Sequence, residues 1–246
     1  METLPLSAQE GRARATGSIG AFASRWSWRA VLFGLLACGI WLISTAWIVG
    51  QFTPGTQHGY GIPVQFGLPA LLLLATFAAH KRWCFPDIRF VGDVRRSVVA
   101  QGLVAVTIIY LAVYGAALWL GQPREPRMMR LYGGLTSVQI AVMLASMPIL
   151  VPVVEELVFR HFLLSVLPFK KNGWVAGVAV VVTAALFALG HTSYEYRTTY
   201  VLLFALGVVL ALARIRTDGL ALPMGLHAYA IVFALVCDQA VKYLKG

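Results

Sequence analysis

Long apolar runs separated by short polar stretches organise the chain. They cover residues 29–50, 63–79, 97–120, 134–167, 174–191, 199–215 and 220–243. A helix needs about 20 apolar residues to cross a hydrocarbon layer ~30 Å thick. In lipid, only helices and closed barrels satisfy every backbone polar group. The runs lack the alternating segments of about ten residues that a barrel strand shows. The pattern therefore predicts an all-α, polytopic transmembrane bundle. Trp26, Trp28, Trp83, Trp119, Trp174 and Tyr243 fall near the run ends, where amphipathic rings favour the headgroup zone.

Seven runs give seven crossings, with one complication. As a single helix the 134–167 run would be about 50 Å long, and Pro148 and Pro152 offer places to break it. A break there is expected, making eight spans and bringing Glu155 and His191 toward the same side. The first run is too long for a signal-peptide core and reads as a retained helix. Residues 1–28, rich in Ala, Gly, Ser and Arg, read as a polar N-terminal arm, and 29–246 as a single membrane-embedded domain.

Composition agrees with the pattern. The chain is 59% hydrophobic and 12% charged, whereas a soluble domain carries roughly 45–50% apolar and about 25% charged residues. A water-soluble globule, a disordered chain and a disulfide scaffold are excluded. The net charge of +10 raises the question of nucleic acid, but Lys and Arg sit in the short stretches between runs, as the orientation of membrane loops requires. With the N-terminus inside, seven crossings put 13 basic residues inside and six outside; eight put 12 inside and seven outside, Arg160 excluded from both. The expected partner is the lipid bilayer, with no nucleic acid, and nothing in the pattern specifies an oligomer. Cys38, Cys84 and Cys237 have no CxxC spacing and read as packing residues.

Of the ten acidic residues, seven lie in tails or loops, and Glu155, Glu156 and Asp238 lie in apolar runs. A charge at mid-bilayer costs ~2.5–3.5 kcal/mol on insertion scales, so such residues need pairing, a wet cavity, or both. Glu156 and Arg160 are four apart and within ion-pair reach on one helix face. Glu155 is turned about 100° from Glu156 by the helical period and has no local counter-ion, which makes it a functional-site candidate. His191 ends one apolar run and His227 lies inside the last. Each alone reads as an interhelical hydrogen-bonding residue. With Glu155 they supply a carboxylate and two imidazoles from three helices, a set suited to general-base activation of water and to hydrogen bonding with a developing oxyanion. The three are expected to converge on one water-accessible cavity. His80 and His161 look peripheral, and His58 sits in a polar loop. No HExxH motif is present, and no two of Glu155, His191 and His227 have the i, i+4 spacing of a preformed ligand pair, so neither a metal nor another cofactor is expected.

These residues resemble a known family. Glu155-Glu156-x-x-x-Arg160, Phe187-x-x-x-His191, and Phe204-x-x-Gly207 followed by Arg216-Thr217-x-Gly219-Leu220 and His227 are similar to the three signature regions of the CPBP family, the CAAX-protease and bacteriocin-processing membrane proteins, also called glutamate intramembrane proteases. The resemblance runs from about Pro148 to Asp238, and it implies a protease-like core at about 134–243. It implies that Glu155 activates water with help from His191, that Glu156 and Arg160 form a supporting pair, and that His227 stabilises the oxyanion. It implies an endopeptidase acting on a protein or peptide with a membrane-associated segment. The chain departs from the family pattern at Ile231, where the family often has Asn, and at His161, where Gly is usual. A non-catalytic scaffold or immunity-type protein is the main alternative, favoured by Ile231; a proton-coupled transporter is a further one, with no repeat symmetry to favour it.

Overall fold

The structure, a computed structural model, describes residues 22–245. Among the described residues, six helices are long and apolar enough to cross a membrane, and with one shorter apolar helix they give seven in chain order. They are α1 (Trp28–Val49), α2 (Gly61–Trp83), α3 (Arg96–Trp119), α4 (Ser137–Val166), α5 (Gly173–Leu189), α6 (Arg197–Thr217) and α7 (Ala221–Lys245). Among the described residues there is no strand. The protein is a multi-pass integral membrane protein.

Local signals account for the helix starts. Thr136 and Gln139 form a reciprocal capping box that opens α4, satisfying two donors that a helix N-terminus leaves orphaned. The Asn172 side chain accepts the Val175 N–H at 2.9 Å and opens α5. Apolar side chains then divide between two destinations. Leu73, Leu157, Phe162, Phe187 and Leu210 are buried in one continuous core. Leu35, Ile43, Leu71, Val104 and Val201 face outward and are exposed. A soluble protein rarely presents so much contiguous apolar surface; here it is the lipid-facing wall.

The expected break at Pro148–Pro152 does not occur. Helical geometry runs through both prolines from Ser137 to Glu155, and the backbone continues as a π-helix over Glu156–Leu163 before a last α turn, Leu164–Val166. Each proline removes one donor, and local π adjustment is a known way for a membrane helix to absorb that loss. Depth is solved differently from the expectation. α4 is about 45 Å long, so Glu155 lies well inside it, whereas α5, about 26 Å at 1.5 Å per residue, stops short and ends at Gly190, level with Glu155. One long and one short helix achieve what the break was expected to achieve.

The bundle is closed at the end opposite His191 by a crossing of two loops. Gly92, with φ +74°, approaches so closely that a Cβ there would meet the Thr217 carbonyl oxygen and Gly219, while a Cβ on Gly219 would meet the Val91 carbonyl. The contact lets Asp93 N–H donate to Thr217 O at 2.7 Å and Leu220 N–H to Phe90 O at 2.6 Å. Of the arm expected over 1–28, residues 1–21 lie outside the described residues. Phe22 is buried, and its N–H donates to the Asp87 carboxylate at 2.9 Å.

Candidate active site

α4 supplies the carboxylates. Glu155 ends the first α stretch of α4 and Glu156 begins the π segment, and π insertions in α-helices are frequent at functional sites. Both carboxylates reach the same imidazole. His227, on α7, sends Nδ1 to Glu156 Oε1 at 2.8 Å and turns Nε2 toward Glu155 Oε2 at 3.7 Å. The helical rotation that separates the two glutamates thus allows them to flank one ring. His191, just past α5, has Nε2 4.0 Å from Glu155 Oε2. The structure brings Glu155, His191 and His227 together from three parts of the chain.

Hydrogen-bond partners fix how the rings can act. His191 Nδ1 lies 2.7 Å from the Phe187 carbonyl oxygen, which can only accept. Nδ1 therefore carries a proton, and in the neutral ring Nε2 is an acceptor facing Glu155. The Nδ1–H of His227 likewise donates to the Glu156 carboxylate. His227 can then donate through Nε2 only as the doubly protonated imidazolium, with a carboxylate on either side. Glu155 Oε2 is buried and accepts no hydrogen bond among the described residues. Its separations from the two Nε2 atoms exceed direct hydrogen-bond length, so a water that bonded to both Glu155 and a ring nitrogen would sit beside the gap.

Glu156 is held from the other side. Arg160 Nε lies 3.3 Å from Glu156 Oε2, with both side chains fully buried. The guanidinium also stacks over the Phe187 ring, 4.3 Å from its centroid, and donates to the Gly207 carbonyl at 3.4 Å. Gly207 is at a close helix crossing: a Cβ there would lie 2.9 Å from Ala184 Cα on α5. The signature glycine on α6 is explained by this contact and by its carbonyl's access to Arg160.

Three groups stand elsewhere than the sequence suggested. His80 and His161, set aside as peripheral, are wholly buried and bonded to each other, Nδ1 to Nε2 at 3.0 Å. They tie the π segment to α2 inside a box of aromatic rings that includes Phe22, stacked 5.2 Å from His161. Glu125, read as an ordinary loop residue, accepts the Glu195 N–H at 2.9 Å and the Thr199 hydroxyl at 2.7 Å. It thereby anchors the segment that follows His191 and places a negative charge at the start of α6, where the helix dipole favours it. Asp238, the third acid in an apolar run, is paired with Arg124 through two hydrogen bonds, 3.1 and 2.5 Å long, which hold Arg124 further toward its charged form. Burial raises the Tyr194 phenol above its ordinary value, opposed by Arg127 and reinforced by the Glu155 and Glu125 carboxylates. Glu125 carries a missed signal in one respect only: it is one of just ten acids in the chain.

Comparison with known proteins bears on this arrangement. A family model described as type II CAAX prenyl endopeptidase Rce1-like matches residues 137–233. An uncharacterized 24.3 kDa protein of Escherichia coli is 31% identical over 170 residues, 69% of this chain and 77% of that protein. The membrane-embedded CAAX protease MroQ of Staphylococcus aureus (strain USA300) is 29% identical over 146 residues, 56% of this chain and 55% of MroQ. No solved structure matches the chain. Fold and relatives together define a polytopic membrane peptidase. The chain belongs to the CPBP family of CAAX-protease-like membrane proteins.

Proposed function

We propose that the protein is a glutamate-type intramembrane endopeptidase, cleaving a peptide bond in a protein or peptide with a membrane-associated segment. One observation carries the reading: a buried carboxylate oxygen of Glu155, without a hydrogen-bond partner among the described residues, faces two imidazole nitrogens at 3.7 and 4.0 Å. A water between Glu155 and His191 donates one hydrogen bond to His191 Nε2, which orients it. As its oxygen adds to the scissile carbonyl carbon, its other proton passes to the Glu155 carboxylate. The imidazolium of His227 donates through Nε2 to the oxyanion. Glu155 then returns the proton to the departing amine as the C–N bond breaks, releasing acid and amine without an acyl-enzyme. Glu156 holds the Nδ1 proton of His227 and is itself charge-balanced by Arg160.

Ile231 supports a second reading, a scaffold or immunity-type protein. It lies one turn beyond His227, and an aliphatic side chain cannot donate a hydrogen bond to an oxyanion. The two readings separate on one comparison: the terminal sequences of membrane proteins in cells carrying the wild-type chain or Glu155→Gln. New or missing termini in the variant are expected; identical termini would favour the scaffold.

A further inference from the structure

The signature arginine Arg216 has no part in the arrangement around Glu155. It is exposed one residue before the end of α6, and among the described residues its guanidinium makes no hydrogen bond or ion pair. It lines a groove of about 90 Å³ between α3 and α6, apart from the Glu155–His191–His227 cluster. Val98, Gln101 and Ala105 line this groove from α3, and Val209, Leu212 and Arg216 from α6. Each set is spaced by three and then four residues, which places it on one helix face, so the groove runs about 10 Å along both helices. α3 begins at Arg96 and α6 ends at Thr217, and the bond from Asp93 N–H to Thr217 O holds these two ends together. The groove therefore starts beside Arg216, at the end of the bundle closed by the crossed loops, and descends along the apolar wall.

We propose that the α3–α6 groove binds one anionic glycerophospholipid, its phosphate on Arg216 and an acyl chain laid along Ala105, Val209 and Leu212. Charge selects the headgroup. The acids at this end are already committed: Asp87 to the Phe22 N–H, Asp93 to Arg95, and Asp218 to Lys170 and Arg214. Arg96, which opens α3, also lacks a partner among the described residues. Two guanidiniums without an internal counter-charge thus stand at the helix ends, and the guanidinium fork matches a phosphate. With the N-terminus inside, this end faces the cytoplasm, where basic pockets between transmembrane helices hold anionic headgroups. Depth selects the chain. Leu212 is exposed on the lipid-facing wall, and below Arg216 the groove is apolar except for Gln101. A phosphate and a hydrocarbon chain on one molecule match both ends of the groove. The inference is independent of the peptidase reading.

The test uses the full chain, stripped of lipid in a neutral detergent and titrated with dioleoylphosphatidylglycerol or dioleoylphosphatidylcholine. Native mass spectrometry counts the lipids bound per chain. Wild type is expected to hold one phosphatidylglycerol, preferred over phosphatidylcholine by about tenfold or more, as two basic side chains near an anionic headgroup supply. Arg216→Gln should cut that preference about fivefold. Lys171→Gln removes the same charge from an exposed side chain at the same end, outside the groove, and should leave the preference unchanged. Ala105→Phe, which fills the groove, should abolish the tight phosphatidylglycerol. If Ala105→Phe fails to fold, the contrast between Arg216→Gln and Lys171→Gln decides alone. Equal binding of the two lipids, or an equal loss in Lys171→Gln, would overturn the site, leaving annular contact or surface charge. Displacement of the lipid by glycerol 3-phosphate at equal concentration would show an anion contact without a chain, and overturn it too. A lipid-free dimer that Ala105→Phe dissociates would make the groove an interface between copies, with the same result. Glu155→Gln should bind lipid as wild type does.

Discussion

Two adjacent carboxylates in an apolar helix invite the same description, yet their surroundings assign them different work. Glu156 pairs with Arg160 and accepts the Nδ1–H of His227; Glu155 faces two Nε2 atoms beyond direct hydrogen-bond length. Glu155→Gln keeps size and hydrogen bonding but removes the base, so cleavage should be lost while thermal unfolding in detergent stays near wild type. Glu156→Gln leaves Arg160 buried without its counter-charge, and breaking such a pair costs ~3–5 kcal/mol; yield and unfolding temperature should fall together with activity. Measured side by side, equal destabilisation by the two substitutions would show the roles to be misassigned. His227→Ala should lower kcat by about 10²–10³ if its Nε2 proton serves the oxyanion; a loss confined to KM would remove that role. At this scale, charge in an apolar run made Glu155, Glu156 and Arg160 legible from the sequence, because lipid makes such residues costly. Glu125 was not legible. A loop carboxylate has water and many neighbours as potential partners, and only the fold brings it to Glu195 and Thr199, 70 and 74 residues away.

The elements follow the same division between what periodicity specifies and what packing decides. Seven apolar runs predicted the helices to within a few residues, since length and hydropathy alone set what crosses a bilayer. The unbroken course of α4 escaped because a proline weakens a helix without saying whether its neighbours compensate. The π segment has one faint mark in the sequence, polar pairs at 155/156 and 160/161, five apart, the spacing of an i→i+5 helix. Its consequence is structural: it delivers Glu156 and Arg160 to the α5–α6 seam, where Gly207 meets Ala184. Gly207→Leu should force that seam apart. Overpacking of this kind costs typically 1–3 kcal/mol, so the unfolding temperature should drop. Activity should drop further than stability accounts for, because the Gly207 carbonyl that receives Arg160 must move. Wild-type cleavage by a folded Gly207→Leu variant would show that the seam has no influence on the site.

At the scale of the whole molecule, crossing by all seven helices would put Trp28 and Leu244 on opposite faces of the membrane. It would also put the 124–130 and 190–196 segments, beside the candidate site, on the face opposite the crossed loops at Gly92 and Gly219. The charge distribution chooses between the two orientations: seven spans with the N-terminus inside place 13 basic residues inside and six outside. Lys170 and Lys171 then face the cytoplasm, and Ser193 the outside. These positions flank α5, the short helix whose crossing is least obvious from length, about 26 Å against a core of ~30 Å. In a background with Cys38, Cys84 and Cys237 replaced, Ser193→Cys should react with a membrane-impermeant maleimide on intact cells. Lys171→Cys should react only after permeabilisation. The reverse pattern would invert the protein in the membrane and move the site to the cytoplasmic side. Labelling of both from one side would mean that α5 does not cross, and the seven-span bundle would fall.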